Sequence, residues 1–260
     1  HNIPPDTGLV DMPARHFHLS VDDVSDCVKY LCRDNPPQRH PTQNPSHPAD
    51  GIHGLLDLVS RYKVKTDLYF YLDDVACSSP AENPDAAYLD FFRFGPHAEN
   101  HATPPHTLSA QERDHFLQTG FARVDELFGQ SRRASWLRLH YFSEPLENHQ
   151  RLRAEGVTHI LLTDKPALAY RLGDQVRTIL AKTGQYHNDN ITYVSSHMRL
   201  EAMLSAFPTQ QQLDYYLDSL IDTRDTIVLF THEQELKDRH VIGITEYCIC
   251  YLLEKNICPL

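Results

Sequence analysis

The run Arg15-His16-Phe17-His18-Leu19-Ser20-Val21-Asp22-Asp23-Val24 decides how the rest of the 260-residue chain is read. Phe17, Leu19 and Val21 alternate with His16, His18, Ser20 and Asp22, the two-residue period of a strand with one apolar and one polar face. Two adjacent carboxylates close the alternation. Side by side they repel and compete for protons, so a strand end that carries both commonly gives one a cation and leaves the other as a base. The same letters also fit a strand followed by an acidic helix cap, since Asp-Val-Ser-Asp is ordinary capping chemistry.

Outward from this run, 41% hydrophobic content over 260 residues is enough for a full core, and neither an internal repeat nor a Gly/Ser linker divides the chain. One domain over 1–260 is expected, with long Pro-rich surface loops at 36–48 and 80–84. A net charge of −11 argues against nucleic acid or an anionic membrane surface as partner. No apolar run is long enough to span a membrane and no signal-peptide pattern is visible, which makes a cytoplasmic location the expectation. Six cysteines without a CxxC pair or zinc-finger spacing read as buried reduced thiols. Seventeen histidines, several near Asp or Glu, direct attention to a metal or proton-transfer site.

In order, strands are predicted at 66–72, 135–141, 157–163, 191–196 and 226–230, with helices at 24–31, 51–62, 109–128 and 145–155 and a closing helix to about residue 254. Ser109 and Glu112 make a capping box for the longest of these. The strand at 66–72 also ends in paired acids, Asp73-Asp74, so the local pattern alone leaves two candidate sites. His97 and His101 are four apart, and one helical turn there would put both imidazoles on one face, a spacing suited to one metal ion. Strands alternating with helices predict an α/β fold with a parallel sheet or barrel. Ligands bind at the carboxyl ends of such strands, so Asp22-Asp23, Arg138, His140, Asp164 and His232 would converge on one mouth.

Taken together, these clusters resemble the polysaccharide deacetylases of the NodB type, carbohydrate esterase family four. Phe17-His18-Leu19-Ser20-Val21-Asp22-Asp23 is similar to the first family motif, His97-Ala98-Glu99-Asn100-His101 to the second, Arg138-Leu139-His140-Tyr141 to the third and Phe230-Thr231-His232 to the last. The resemblance runs from about residue 16 to 236. It implies a distorted (β/α) barrel of about seven parallel strands. It further implies Asp23, His97 and His101 as metal ligands, Asp22 as general base, His232 as general acid and Arg138 as the residue orienting Asp22. His140 stands where the family usually has Pro, and the fourth motif is poorly matched, with Asp164 its only weak counterpart, which marks a divergent member.

The reaction implied is metal-dependent hydrolysis of an N-acetyl amide, or less readily an O-acetyl ester, on an amino sugar or polysaccharide. Tyr141, His140 and Asp164 are the expected substrate contacts. An Asp/His/His set suits zinc, although other first-row ions bind the same donors. Two rivals stand beside this reading. A catalytically silent carbohydrate-binding barrel would explain the weak fourth motif but has no reason to retain both Asp22 and His232. An amidohydrolase-type metal hydrolase would use His16-Phe17-His18, yet that pair opens its strand instead of ending it.

Overall fold

A computed structural model describes residues 15–32, 48–81 and 86–260; the stretches read as Pro-rich loops lie almost wholly outside them. The opening run forms β1 (His16–Val24), and its alternation is realised. Phe17, Leu19 and Val21 join a buried cluster with Leu55, Val59 and Ile249 of the surrounding helices, while Ser20 and Asp22 turn the other way onto Arg138. A one-residue slip would exchange these two faces, so burial of the apolar one holds the register.

The remaining strands are β2 (Thr66–Tyr71), β3 (Phe92–Ala98), β4 (Trp136–Leu137), β5 (His159–Leu162), β6 (Gln185–Asn188), β7 (Ile191–Ser195), β8 (Met198–Arg199), β9 (Thr226–His232) and β10 (Cys258–Pro259). Helices are α1 (Asp26–Leu31), α2 (Pro48–Tyr62), the single turn α3 (Leu72–Val75), α4 (Ala110–Phe128), α5 (His149–Ala154), α6 (Asp174–Thr183), α7 (Leu200–Ala206), α8 (Gln210–Thr223) and α9 (Arg239–Glu254). One sheet runs β3-β2-β1-β9-β8, with β10 beside the start of β1, and a second runs β4-β5-β7-β6. Among the described residues, every pairing is parallel except β6–β7.

The two sheets meet at both sides, giving the distorted (β/α) barrel. On one side the Ala134 N–H donates to the Phe94 carbonyl at 2.8 Å. On the other, the His197 N–H donates to the Val228 carbonyl at 3.1 Å, and the Val228 N–H returns to the His197 imidazole Nδ1 at 3.0 Å. A side chain thus supplies the acceptor that a neighbouring strand would have offered. Burial pushes the His197 imidazole down to about 3, which keeps it neutral for that role.

Several expectations are corrected in detail. Residues 99–101 form a bend and turn after β3, so His97 and His101 do not share a helical face. The strand expected at 135–141 pairs only over Trp136–Leu137, because the chain turns at Tyr141 and Phe142, both with positive φ. That turn also delays the following helix, which starts at His149 instead of Pro145. The 109–128 helix is as expected, with Ser109 Oγ accepting from the Glu112 N–H at 3.2 Å and the Glu112 carboxylate accepting from the Ser109 N–H at 2.8 Å.

Helix α4 lies so close to β3 that a Cβ on Gly120 would fall 2.4 Å from Cβ of Pro96, the residue before His97. Gly120→Ala is therefore expected to lower stability by about 1–3 kcal/mol through overpacking, read as a drop in the urea midpoint.

Candidate active site

Two adjacent residues of a flat strand point to opposite faces, yet Asp22 and Asp23 both reach the mouth of the barrel. The β1–β2 register explains how: Val21 pairs with Leu68 but Val24 with Phe70, so β1 carries one extra residue there, and Asp23 takes φ 57°. Such a bulge bends the strand and re-aims a side chain. The same device recurs in β3, where Pro96 pairs with Phe70 and Ala98 with Tyr71, leaving His97 as the extra residue.

Asp22 is buried against Arg138, whose Nη1 lies 3.2 and 3.1 Å from its two oxygens. Arg138 is itself fully buried, donates to Ser20 and Ser196, and lies 4.1 Å from the centre of the Phe230 ring. Its carbonyl accepts from His97 Nδ1 at 2.8 Å. Since a carbonyl can only accept, that bond places a proton on Nδ1 and turns Nε2 toward Asp23. Nε2 sits 3.3 Å from Asp23 Oδ1.

His140 Nδ1 lies 3.7 Å from the same Asp23 oxygen, and Asp23, His97 and His140 form a group whose donor atoms are all within 4.8 Å of one another. Tyr71, at the end of β2, donates its hydroxyl to Asp23 Oδ1 at 2.5 Å and lies 2.8 Å from His140 Nδ1. Burial of Asp23 opposes ionisation, but His97 and the Tyr71 hydroxyl together hold its carboxyl well below the usual range. Burial and the neighbouring His97 bring His140 down to about 4. A carboxylate and two imidazoles are the donor types a divalent first-row ion takes.

His101 is not brought into this group. Its side chain is 65% exposed, its ring lies 3.8 Å from the Tyr71 ring, and its Nε2 is 3.7 Å from Asp74. Asp73 and Asp74 sit in the α3 turn, where the Asp73 N–H donates to the Glu99 carbonyl at 3.0 Å.

Across the mouth, β9 pairs with β1 in a register that sets His232 opposite Asp22. His232 Nδ1 bonds the Glu201 carboxylate at 2.6 Å, and Thr231 donates to the other Glu201 oxygen at 2.8 Å. Burial lowers the His232 pKa, but the Glu201 bond and the charges of Asp22, Glu201 and Asp23 outweigh it and leave the imidazole raised. Burial likewise resists the Glu201 charge, and the His232 bond prevails, lowering it. In the sequence Glu201 has no distinguishing spacing; its partner is 31 residues away. Glu233 is a similar case. It accepts from the N–H groups of Ser25, Asp26 and Cys27 at 2.9, 3.0 and 2.6 Å, so the start of α1 is capped by the residue that follows β9 and not by its own Ser25.

Asp22, Asp23, His97, Arg138, His140 and His232 line a cleft of about 450 Å³, together with Tyr141, Phe142, Leu168 and Tyr170. Tyr141 lines it; Asp164 does not, and instead holds Arg199, which does, through bonds of 3.2 and 2.9 Å. His16 and His18 belong to the opposite end of β1, where His18 bonds Asp67 at 3.0 Å and stacks on Trp136.

No protein-family model matches the sequence, and no curated protein matches it. Among solved structures, a polysaccharide deacetylase, described as putative, from Mycobacterium smegmatis superposes with a TM-score of 0.58 at 10% identity, over 95% of this chain and 87% of that one. A family 4 carbohydrate esterase from Streptomyces lividans gives 0.52 at 11% identity, over 95% and 93%. The barrel has the polysaccharide-deacetylase fold. An allantoinase shares it too, with a TM-score of 0.57 at 10% identity over 100% and 94% of the two chains. The deacetylase barrel is thus a scaffold for more than one activity, and the site must argue the chemistry.

Because Glu233 satisfies three N–H groups at the start of α1, Glu233→Ala is expected to lower stability by about 1–3 kcal/mol, measured by thermal or urea unfolding.

Proposed function

We propose that this chain is a divergent polysaccharide deacetylase that hydrolyses an N-acetyl amide, or less readily an O-acetyl ester, on an amino sugar. The observation that carries the reading is the placement of Asp22 and His232 as register partners on β1 and β9, beside the Asp23–His97–His140 group and lining one cleft. A base and an acid flanking a place for the reacting carbonyl are what amide hydrolysis requires.

In such a site a divalent ion, of which zinc suits the donors, supplies an acidified water and polarisation of the acyl oxygen. Asp22, held in place by Arg138, takes the proton of the attacking water. His232 gives its proton to the nitrogen as the C–N bond breaks, so that an amine leaves and acetate remains. Glu201 is the positioning carboxylate for that step, fixing the ring through Nδ1 and leaving Nε2 as the atom that delivers the proton. The aromatic rings of Tyr141 and Tyr170 give flat apolar faces against which a sugar ring can rest. The fold shared with a family 4 carbohydrate esterase, a structure that holds acetate, supports the same class of reaction.

Acetate release from N-acetylated chito-oligosaccharides tests the reading. Asp22→Asn is expected to reduce kcat by about 100-fold or more while metal content, by elemental analysis, is kept. A wild-type chain with bound metal and no turnover on any acetylated amino sugar would favour the silent binding barrel. Glu201→Gln should move the alkaline limb of the pH–rate profile to lower pH: the acid must be protonated, Glu201 raises its pKa, and removing that charge lowers it.

A further inference from the structure

The metal site proposed above needs a second imidazole beside His97, and the spacing of His97 and His101 names one candidate while the folded chain offers another. We propose, on the basis of that reading of the site, that His140 is the second imidazole ligand and that Tyr71 keeps the His101 ring out.

Backbone carbonyls and the Tyr71 hydroxyl orient the two rings. The His97 Nδ1–H is taken by the Arg138 carbonyl at 2.8 Å, while His140 Nε2 lies 3.3 Å from the His101 carbonyl and its Nδ1 2.8 Å from the Tyr71 hydroxyl. His97 Nε2 and His140 Nδ1 both face Asp23 Oδ1, at 3.3 and 3.7 Å. Donors about 2.0–2.1 Å from a tetrahedral ion stand about 3.3–3.4 Å apart, which the two contacts to Asp23 match to a few tenths of an ångström, and all three atoms lie within 4.8 Å of one another.

His101 has no comparable route. The buried Tyr71 side chain carries the His101 ring on one side, at 3.8 Å between centroids, and bonds Asp23 through its hydroxyl. To approach Asp23, the imidazole would have to displace that phenol. What His101 contributes is its backbone carbonyl, which any residue at 101 would supply.

The test is Zn²⁺ affinity and stoichiometry, by calorimetry and elemental analysis, for the wild type and the single variants His140→Ala, His101→Ala and His97→Ala. The expected result is a loss of about 100-fold or more in His140→Ala and His97→Ala, with His101→Ala within about threefold of wild type. Loss of metal in His101→Ala with retention in His140→Ala would overturn the proposal while leaving the metal site itself standing. Wild-type affinity in His97→Ala would overturn the site and the proposal together. Should His140→Ala fail to fold, His101→Ala still decides, since its loss of metal contradicts the assignment.

Discussion

Arg138 organises the mouth of this barrel through both ends of the residue. Its guanidinium, with no exposed surface, holds Asp22 and reaches Ser20 and Ser196; its carbonyl orients the His97 ring. A buried guanidinium is costly unless paired, and leaving one of a buried pair alone costs about 3–5 kcal/mol. Here the pairing is distributed over β1, the turn after β7 and the Phe230 ring of β9, so the strands cannot shift separately without uncovering a charge. The constraint that closes the barrel also fixes the proposed base.

Around that anchor, the candidate site is built from irregular backbone. Asp23 and His97 each occupy the extra position of a bulge, and Tyr141 and Phe142 lie in the left-handed region at φ 52° and 54°. Non-glycine residues held there cost on the order of 1–3 kcal/mol each and persist where the surroundings dictate them. In this barrel the surroundings are the Tyr71 bond to Asp23, the Arg138 carbonyl on His97 and the Ser143 hydroxyl on the His140 carbonyl at 2.7 Å. Regular strands bring the residues to one end; the departures from regularity make them converge.

The flanks of β9 show a further division of labour. Thr231 and His232 share the Glu201 carboxylate of α7, while Glu233, the next residue, crosses to the first turn of α1 just beyond Asp22-Asp23. One short segment therefore links the candidate acid to its orienting carboxylate and ties the end of β1 to β9. Motion of either strand end would be felt by both candidate catalytic groups.

By itself, the sequence determined the face of β1 that is buried, the capped start of α4, the alternation of strand and helix, and the collection of Asp22, Asp23, Arg138 and His232 at strand ends. Each of these follows from short-range periodicity or from capping chemistry within a few residues, which a linear string displays. Tertiary structure alone decided that His140 and not His101 faces Asp23, that Glu201 serves His232, that Glu233 caps α1 and that Asp164 is occupied by Arg199. Those choices depend on which strand carries a bulge, on register between strands far apart in sequence and on the bulk of one buried tyrosine. None of the three leaves a periodic mark on the chain, because each is set by what the neighbouring strand places in the way.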